Sequence, residues 1–158
     1  MRNSKKYVGV ISDTHGLLRP EVFPIFKGVD LIVHAGDIGK PEVLKELQSI
    51  ARVVPVRGNN DIGSWAKRIP ESETVQIGGV RVFVLHNVKE LDVIPSAAGF
   101  NVVISGHSHR PLIDQRDGVL FLNPGSAGPR RFKLPISVAR LIVDGPRVHA
   151  ELITVPVR

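Results

Sequence analysis

The chain has 158 residues, 42% of them hydrophobic and 23% charged, the balance of a globular protein large enough to bury a core. It contains no cysteine, which excludes disulfides and thiolate metal sites and gives a reducing cytoplasm as the expected location; no run approaches the roughly 18 apolar residues of a membrane span. The formal charge of +6 is scattered, with Lys5-Lys6 and PRRFK at 129–133 as its densest clusters, and aromatic residues make up only 5%, poor material for a nucleic-acid platform.

The opening MRNSKKYVGV is basic but lacks a long apolar region or a small-residue cleavage site, so it reads as the approach to a strand at 7–12 (YVGVIS) and not as a signal peptide. A short helical pattern at 19–27, interrupted by Pro24, leads to a strand at 31–35 (LIVHA). Residues 40–51 predict a helix, with Pro41 at a first helical position and Val43, Leu44, Leu47 and Ile50 on one face. A strand comes next at 53–57 (VVPVR). Two strand patterns within 73–86 meet at Gly78-Gly79, a hairpin signal, and the second of them occupies 81–86. A weaker helical pattern at 89–99 precedes strands at 101–105 and 119–123, and 137–155 carries another hairpin turning at Asp144-Gly145. Such continuous apolar, β-branched runs suit strands buried on both faces. The strand–helix alternation of the front half predicts parallel pairing, and the back half predicts hairpins. With no linker, repeat or low-complexity segment, the whole of 1–158 is expected to be one α/β domain with a mixed or double sheet.

The residues at the carboxyl end of each strand carry the chemistry. After 7–12 comes Asp13-Thr14-His15; after 31–35, Gly36-Asp37; after 53–57, Gly58-Asn59-Asn60-Asp61. The later strands end at His86-Asn87, Gly106-His107-Ser108-His109 and Asn123-Pro124-Gly125-Ser126. Each segment alone is ordinary turn chemistry. Six of them, holding four of the six histidines, all fall at carboxyl ends of strands, where α/β sheets collect ligands. Glycine beside a ligand-type residue lets a backbone approach a bound group closely. His149 reads as a structural strand residue, and His34 as either a packed histidine or one that orients a ligand.

In this order, D-x-H, G-D, G-N-x-x, a strand-end His and G-H-x-H resemble the calcineurin-like metallophosphoesterase superfamily. NPGSAGPR, the short length and GNND narrow the resemblance to the small bacterial and archaeal phosphodiesterases of the YfcE group. The match spans 7–131. It implies a two-sheet β-sandwich flanked by helices, in αββα layers, with a dinuclear metal centre at one edge. Carried over residue by residue, one ion takes Asp13, His15 and His109, the other Asn59, His86 and His107, and Asp37 bridges them. Imidazole and carboxylate ligands suit divalent transition metals; manganese is the expected ion, with Ni, Co, Fe or Zn as alternatives. Paired ions clamp the attacking and leaving oxygens of an in-line displacement and acidify a shared water, the expected nucleophile. Two such ions, two carboxylates and one hydroxide leave one net positive charge, which mildly favours a phosphodiester over a monoester dianion.

The departures are informative too. Where GNHE members carry a His that protonates the leaving group, and small relatives commonly carry Cys, this chain has Asn60, which is no proton donor. A modest enzyme favouring good leaving groups is therefore expected. Asn87 stands where Gly is frequent and adds bulk beside His86. Asn60 and Asp61 are taken as the candidate catalytic residues, and Asn60, Arg57 and Arg130 (or Arg131) as candidate substrate contacts; Asp61 serves equally well as a turn cap. Asn123 and Ser126 are candidate braces. The expected partner is a small phosphate ester; a membrane is not expected, nucleic acid is disfavoured, and a homo-oligomer is compatible with the sequence. The rival readings are a non-catalytic scaffold, as in a eukaryotic coat component of this superfamily, and a nuclease.

Overall fold

The computed structural model describes residues 5–157, so the first residues of the basic N-terminal segment lie outside the described residues. In chain order the elements are β1 (Lys6–Ile11), α1 (Val22–Ile25), β2 (Leu31–His34), α2 (Pro41–Gln48), β3 (Arg52–Pro55), α3 (Ser64–Lys67), β4 (Ser72–Ile77) and β5 (Val80–Leu85). A 3-10 turn (Val88–Glu90) comes next, then β6 (Val102–Ile104), β7 (Leu112–Arg116), β8 (Val119–Asn123), β9 (Ser137–Asp144) and β10 (Arg147–Thr154). They form two five-stranded sheets, ordered β10-β9-β1-β2-β3 and β4-β5-β6-β8-β7.

The alternation of side chains along each strand sorts the apolar residues into three layers. Val8, Val10, Leu31 and Val33 of the first sheet meet Val82, Val84, Val102, Ile104 and Leu122 of the second in the core between them. The opposite face of the first sheet puts Ile11 and Ile32 against Val22 and Phe26 around α1 and Val43 and Leu47 of α2. The opposite face of the second sheet packs Leu85 and Val103 with the partly buried Phe83, Leu91 and Phe121. Residues 8–11 of β1, with β2 and β6, thus bury both faces, which is why these stretches are apolar but for the terminal His34 of β2. Each buried Val or Leu contributes about 1.5–3 kcal/mol relative to exposure.

The expected two-sheet sandwich is present, with local differences. The 19–27 pattern yields only the four residues of α1, because Pro20 and Pro24 lack donors and Gly28 (φ 83) turns the chain away. The 89–99 pattern forms no α-helix; Asn87 caps the 3-10 turn, and Pro95 and Gly99 (φ 81) prevent its extension. The layer outside the second sheet is therefore thin. The short α3 and the edge strand β7 were not expected; β7 reads LIDQR and leaves most of its residues exposed, so it carries no clear alternation. The back half also holds parallel pairs, β5–β6 and β6–β8, in place of hairpins alone.

That last difference shapes the site. Parallel runs β1–β2–β3 and β5–β6–β8 each point their carboxyl ends to the same rim of the sandwich, one per sheet. Loops from both sheets meet there.

Candidate metal centre

The loops at this rim are sewn together by main-chain hydrogen bonds. Asp13 N donates to Gly36 O (3.0 Å), His15 N to Asp37 O (2.9 Å), and Gly106 N to His86 O (2.9 Å). Ala127 N donates to Ser12 O (3.0 Å), and Ser126 Oγ to Asp13 O (3.0 Å), so the NPGSAG segment braces the first loop. Asn123 holds the GHSH loop, its Nδ2 donating to Gly106 O (2.9 Å) and Ser108 Oγ (3.2 Å). Gly58 and Gly106 let the loops close: a Cβ at Gly58 would strike Asp37, and one at Gly106 would strike Ser12 Oγ and Asp13. Asp13, His15, Asp37, His107 and His109 all have positive φ, between 47° and 72°, and they are five of the seven non-glycine residues with that conformation among the described residues. Backbone held in the left-handed region is costly for such side chains and is retained where the surroundings enforce it.

Two buried carboxylates lie at the middle. Asp13 Oδ2 accepts from Ser12 Oγ (2.6 Å) and His107 N (3.0 Å), which turns Oδ1 toward the imidazoles. His109 Nε2 stands 3.3 Å from that oxygen, His15 Nε2 3.7 Å and His86 Nε2 3.9 Å. Asp37 accepts from Asn60 twice, N to Oδ1 (2.9 Å) and Nδ2 to Oδ2 (3.0 Å), and its Oδ2 lies 3.3 Å from His86 Nε2 and 3.7 Å from His15 Nε2. His15 and His109 stack obliquely at 5.5 Å on one side, and His86 and His107 meet edge-on at 5.1 Å on the other. Asn59 lines a cleft of about 480 Å³ together with His86, Asn87 and His107.

These donors fit a divalent cation. Asp13 Oδ1, His15 Nε2 and His86 Nε2 are buried without any hydrogen-bond partner, although such atoms are almost always paired. Asp13, His15 and His109 form one group able to hold an ion, and Asp13, Asp37 and His86 another. His86 Nδ1 lies 2.8 Å from Ala35 O and must donate to it, which leaves the Nε2 lone pair facing the carboxylates, as a metal-ligating histidine requires. The electrostatics agree. Burial works to raise the Asp13 carboxyl, but His109, His15 and Ser12 together hold it well below the usual carboxylate range. Asp37 is lowered in the same way, burial being outweighed by His86 and the Asn60 backbone. His15 is raised, chiefly by Asp13 and further by Asp37, against burial; His86 is raised by Asp37 and Asp13 against the larger single effect of burial. The site attracts positive charge.

The other expected residues sort by their contacts. Both oxygens of Asp61 are taken by main-chain donors, Gly39 N (2.9 Å) on Oδ1 and Ile38 N (3.1 Å) and Gly58 N (2.9 Å) on Oδ2, so it joins the second and third loops as a positioning residue. Arg57 does not pair with Asp61; its Nη2 lies 3.5 Å from Glu71, at the wall of the cleft. Arg130 and Arg131 are both exposed, on the segment that follows the NPGSAG brace. His149 lies on β10, 3.8 Å from Glu151.

His34 proves to be a brace. It is fully buried, accepts at Nδ1 from Gly36 N (3.1 Å), and so donates from Nε2 to Thr14 Oγ1 (3.0 Å), which donates onward to Ile38 O (2.8 Å). Burial pushes its pKa down to about 4, keeping it neutral. Roles of this kind depend on which backbone groups meet across loops, and only the alternation that put His34 beside the first loop hinted at them.

Comparison with known proteins agrees with this geometry. Residues 7–145 match the calcineurin-like phosphoesterase superfamily domain. A probable metallophosphoesterase of Methanothermobacter thermautotrophicus is 39% identical, over 92% of this chain and 91% of its own length. A phosphodiesterase of Methanocaldococcus jannaschii is 31% identical, over 75% of this chain and 82% of its own. Among solved structures, the phosphoesterase YfcE of E. coli aligns with a TM-score of 0.70 at 21% identity (95% of this chain, 100% of that one). Vps29 of Chaetomium thermophilum aligns with a TM-score of 0.77 at 21% identity (96% and 100%). At that identity these two likenesses speak for the fold alone. Family match, relatives and the carboxylate–imidazole cluster together make this chain a member of the calcineurin-like phosphoesterase superfamily.

Proposed function

We propose that the protein hydrolyses phosphodiesters, with monoesters as secondary substrates, using two divalent transition-metal ions, manganese first among them. Asp13, His15 and His109 would hold one ion, Asn59, His86 and His107 the other, with Asp37 between them. Bound there, the ions would neutralise charge building on the phosphoryl oxygens and acidify the attacking water. The chain's own residues set the rest. Asn60 holds both oxygens of Asp37 and fixes its orientation at the cleft. Asp61 keeps the Gly36–Gly39 and Gly58–Asp61 loops in register. Arg57, beside Glu71 in the wall of the cleft, and the exposed Arg130 or Arg131 would be the cations that meet a phosphate. The M. jannaschii relative's name as a phosphodiesterase favours diesters.

The observation that carries this reading is that Asp13 Oδ1, buried and unpartnered, lies between two unpartnered imidazole nitrogens, His15 Nε2 at 3.7 Å and His86 Nε2 at 3.9 Å, one in each of two groups able to hold an ion. Its test is hydrolysis of bis-p-nitrophenyl phosphate by chelator-stripped protein with Mn, Ni, Co, Zn or Mg restored singly, beside a folded Asp37→Asn control. Turnover restored by metal and lost in the control is expected. Metal binding without turnover would favour a scaffold. No metal binding would overturn the site.

A further inference from the structure

A second cavity, of about 540 Å³, adjoins the metal cleft, and the two share Asn87 and His107 as a common wall. Its floor is apolar, with Leu112, Phe121 and Leu134 facing it, and its rim carries Lys89, Arg110 and Arg116. No carboxylate lines it, whereas the metal cleft has Glu71, Glu90 and Asp92 in its wall. Arg116 is pinned, its guanidinium 4.7 Å from the centre of the Phe121 ring and its Nε 2.7 Å from Asp114. Among the described residues no ion pair engages Lys89 or Arg110. Leu112 on the edge strand and Val88 at the mouth stay 45% and 37% exposed, apolar surface that a ligand would cover.

Asn87, unusual beside the strand-end histidine, builds the mouth. Its side-chain oxygen accepts from Lys89 N (3.1 Å) and starts the 3-10 turn that brings Val88 and Lys89 to the rim.

We propose that this cavity is a subsite for one ester arm of the substrate, and that the arm is an aromatic group bearing an anionic substituent of its own. The proposal rests on the phosphodiesterase reading above. His107 and Asn87 line both cavities, so an arm extending from a phosphoryl group held at His107 has a short path into the second one. The apolar floor removes a ring from water, and the volume suits a small-molecule group. The cationic rim selects for an anion on that ring and disfavours a neutral or basic one.

Two measurements on the full chain test this. The first is binding of 1-anilinonaphthalene-8-sulfonate, an aromatic body with an anion, to metal-free protein. Saturable one-to-one binding is expected, weakened about tenfold in Leu112→Glu and in the double variant Lys89→Ala/Arg110→Ala, each checked for a native melting curve. The second compares KM for two p-nitrophenyl diesters in the metal-loaded enzyme, one with a methyl arm and one with a carboxylated aryl arm. The methyl-to-carboxyaryl ratio of KM is expected to be about ten in the native enzyme and close to one in the variants. Equal dye affinity in native and variant proteins, or equal KM for the two diesters in the native enzyme, would overturn the subsite. Failure to hydrolyse either diester with any metal would instead overturn the phosphodiesterase reading, and the ester-arm assignment with it; the dye result would still decide whether the cavity binds anionic rings.

Discussion

Asp61 and Asn60 are neighbours that treat the centre differently. Asp61 accepts three main-chain hydrogen bonds from inside the loop packing, a demand that only a carboxylate meets at both oxygens. Asp61→Asn puts an amide group against one of those N–H donors. It is expected to cost about 2 kcal/mol, seen as a lower urea midpoint with an unchanged slope; an unmoved midpoint would remove Asp61 from the loop-holding role. Asn60 is exposed, with its amide on Asp37, and it has no proton acidic enough to give to a departing alkoxide. Asn60→His is therefore expected to raise kcat/KM for an ethyl-leaving diester about tenfold, while bis-p-nitrophenyl phosphate, with its good leaving group, gains less than about threefold. Equal gains on both would show that leaving-group protonation is not what limits this chain. The metal-type side chains themselves were legible in the sequence, because Asp, His and Asn at strand ends next to glycine are chemically distinctive. The separate duties of Asp61 and Arg57 were not, since both depend on which partner the folded loops bring within reach.

At the scale of elements, the strand ends matter more than the strands. β1, β2 and β6 announced themselves through continuous apolar runs, a consequence of burial on both faces. The exposed edge strand β7 and the short α3 lacked such a signature, and the helical spacing at 89–99 was overridden by Pro95 and the Asn87 cap. His34, at the end of β2, shows how an element supports the site without touching it, by passing a hydrogen bond through Thr14 to Ile38. Its burial gives a pH prediction. The unfolded imidazole binds a proton near 6.5 and the folded one only near about 4, so between these values the unfolded chain holds more protons. Stability must then fall as the pH is lowered through that window, by about 3 kcal/mol from this group, and the loss is complete below it. Urea unfolding of chelator-treated protein at several pH values, with His34→Gln beside it, isolates the effect. The stability difference between the two proteins should narrow on acidification from pH 7 to 4, and a constant difference would contradict a neutral buried His34.

At the scale of the whole molecule, the sandwich is closed at one rim by loops that carry two buried carboxylates facing imidazoles. Without a cation, the carboxylates raise the proton affinity of His15 and His86 above that of a free imidazole, which partly offsets that charge. A divalent ion needs the unprotonated nitrogens, so metal binding and acid compete for the same atoms. Because both sheets contribute to the rim, an ion there ties the two halves of the fold together and should stabilise the entire domain. At a free concentration one hundred times its Kd, an ion that binds only the folded chain adds about 2.7 kcal/mol, which corresponds to a rise in Tm of about 5–10 °C for a chain of this size. Thermal melts with and without manganese should show that rise at pH 7.5, a smaller one at pH 5.5, and almost none in Asp37→Asn. A rise of equal size in the Asp37→Asn variant would place the ion elsewhere on the molecule. A rise that did not shrink on acidification would mean that His15 and His86 give up no protons to the metal.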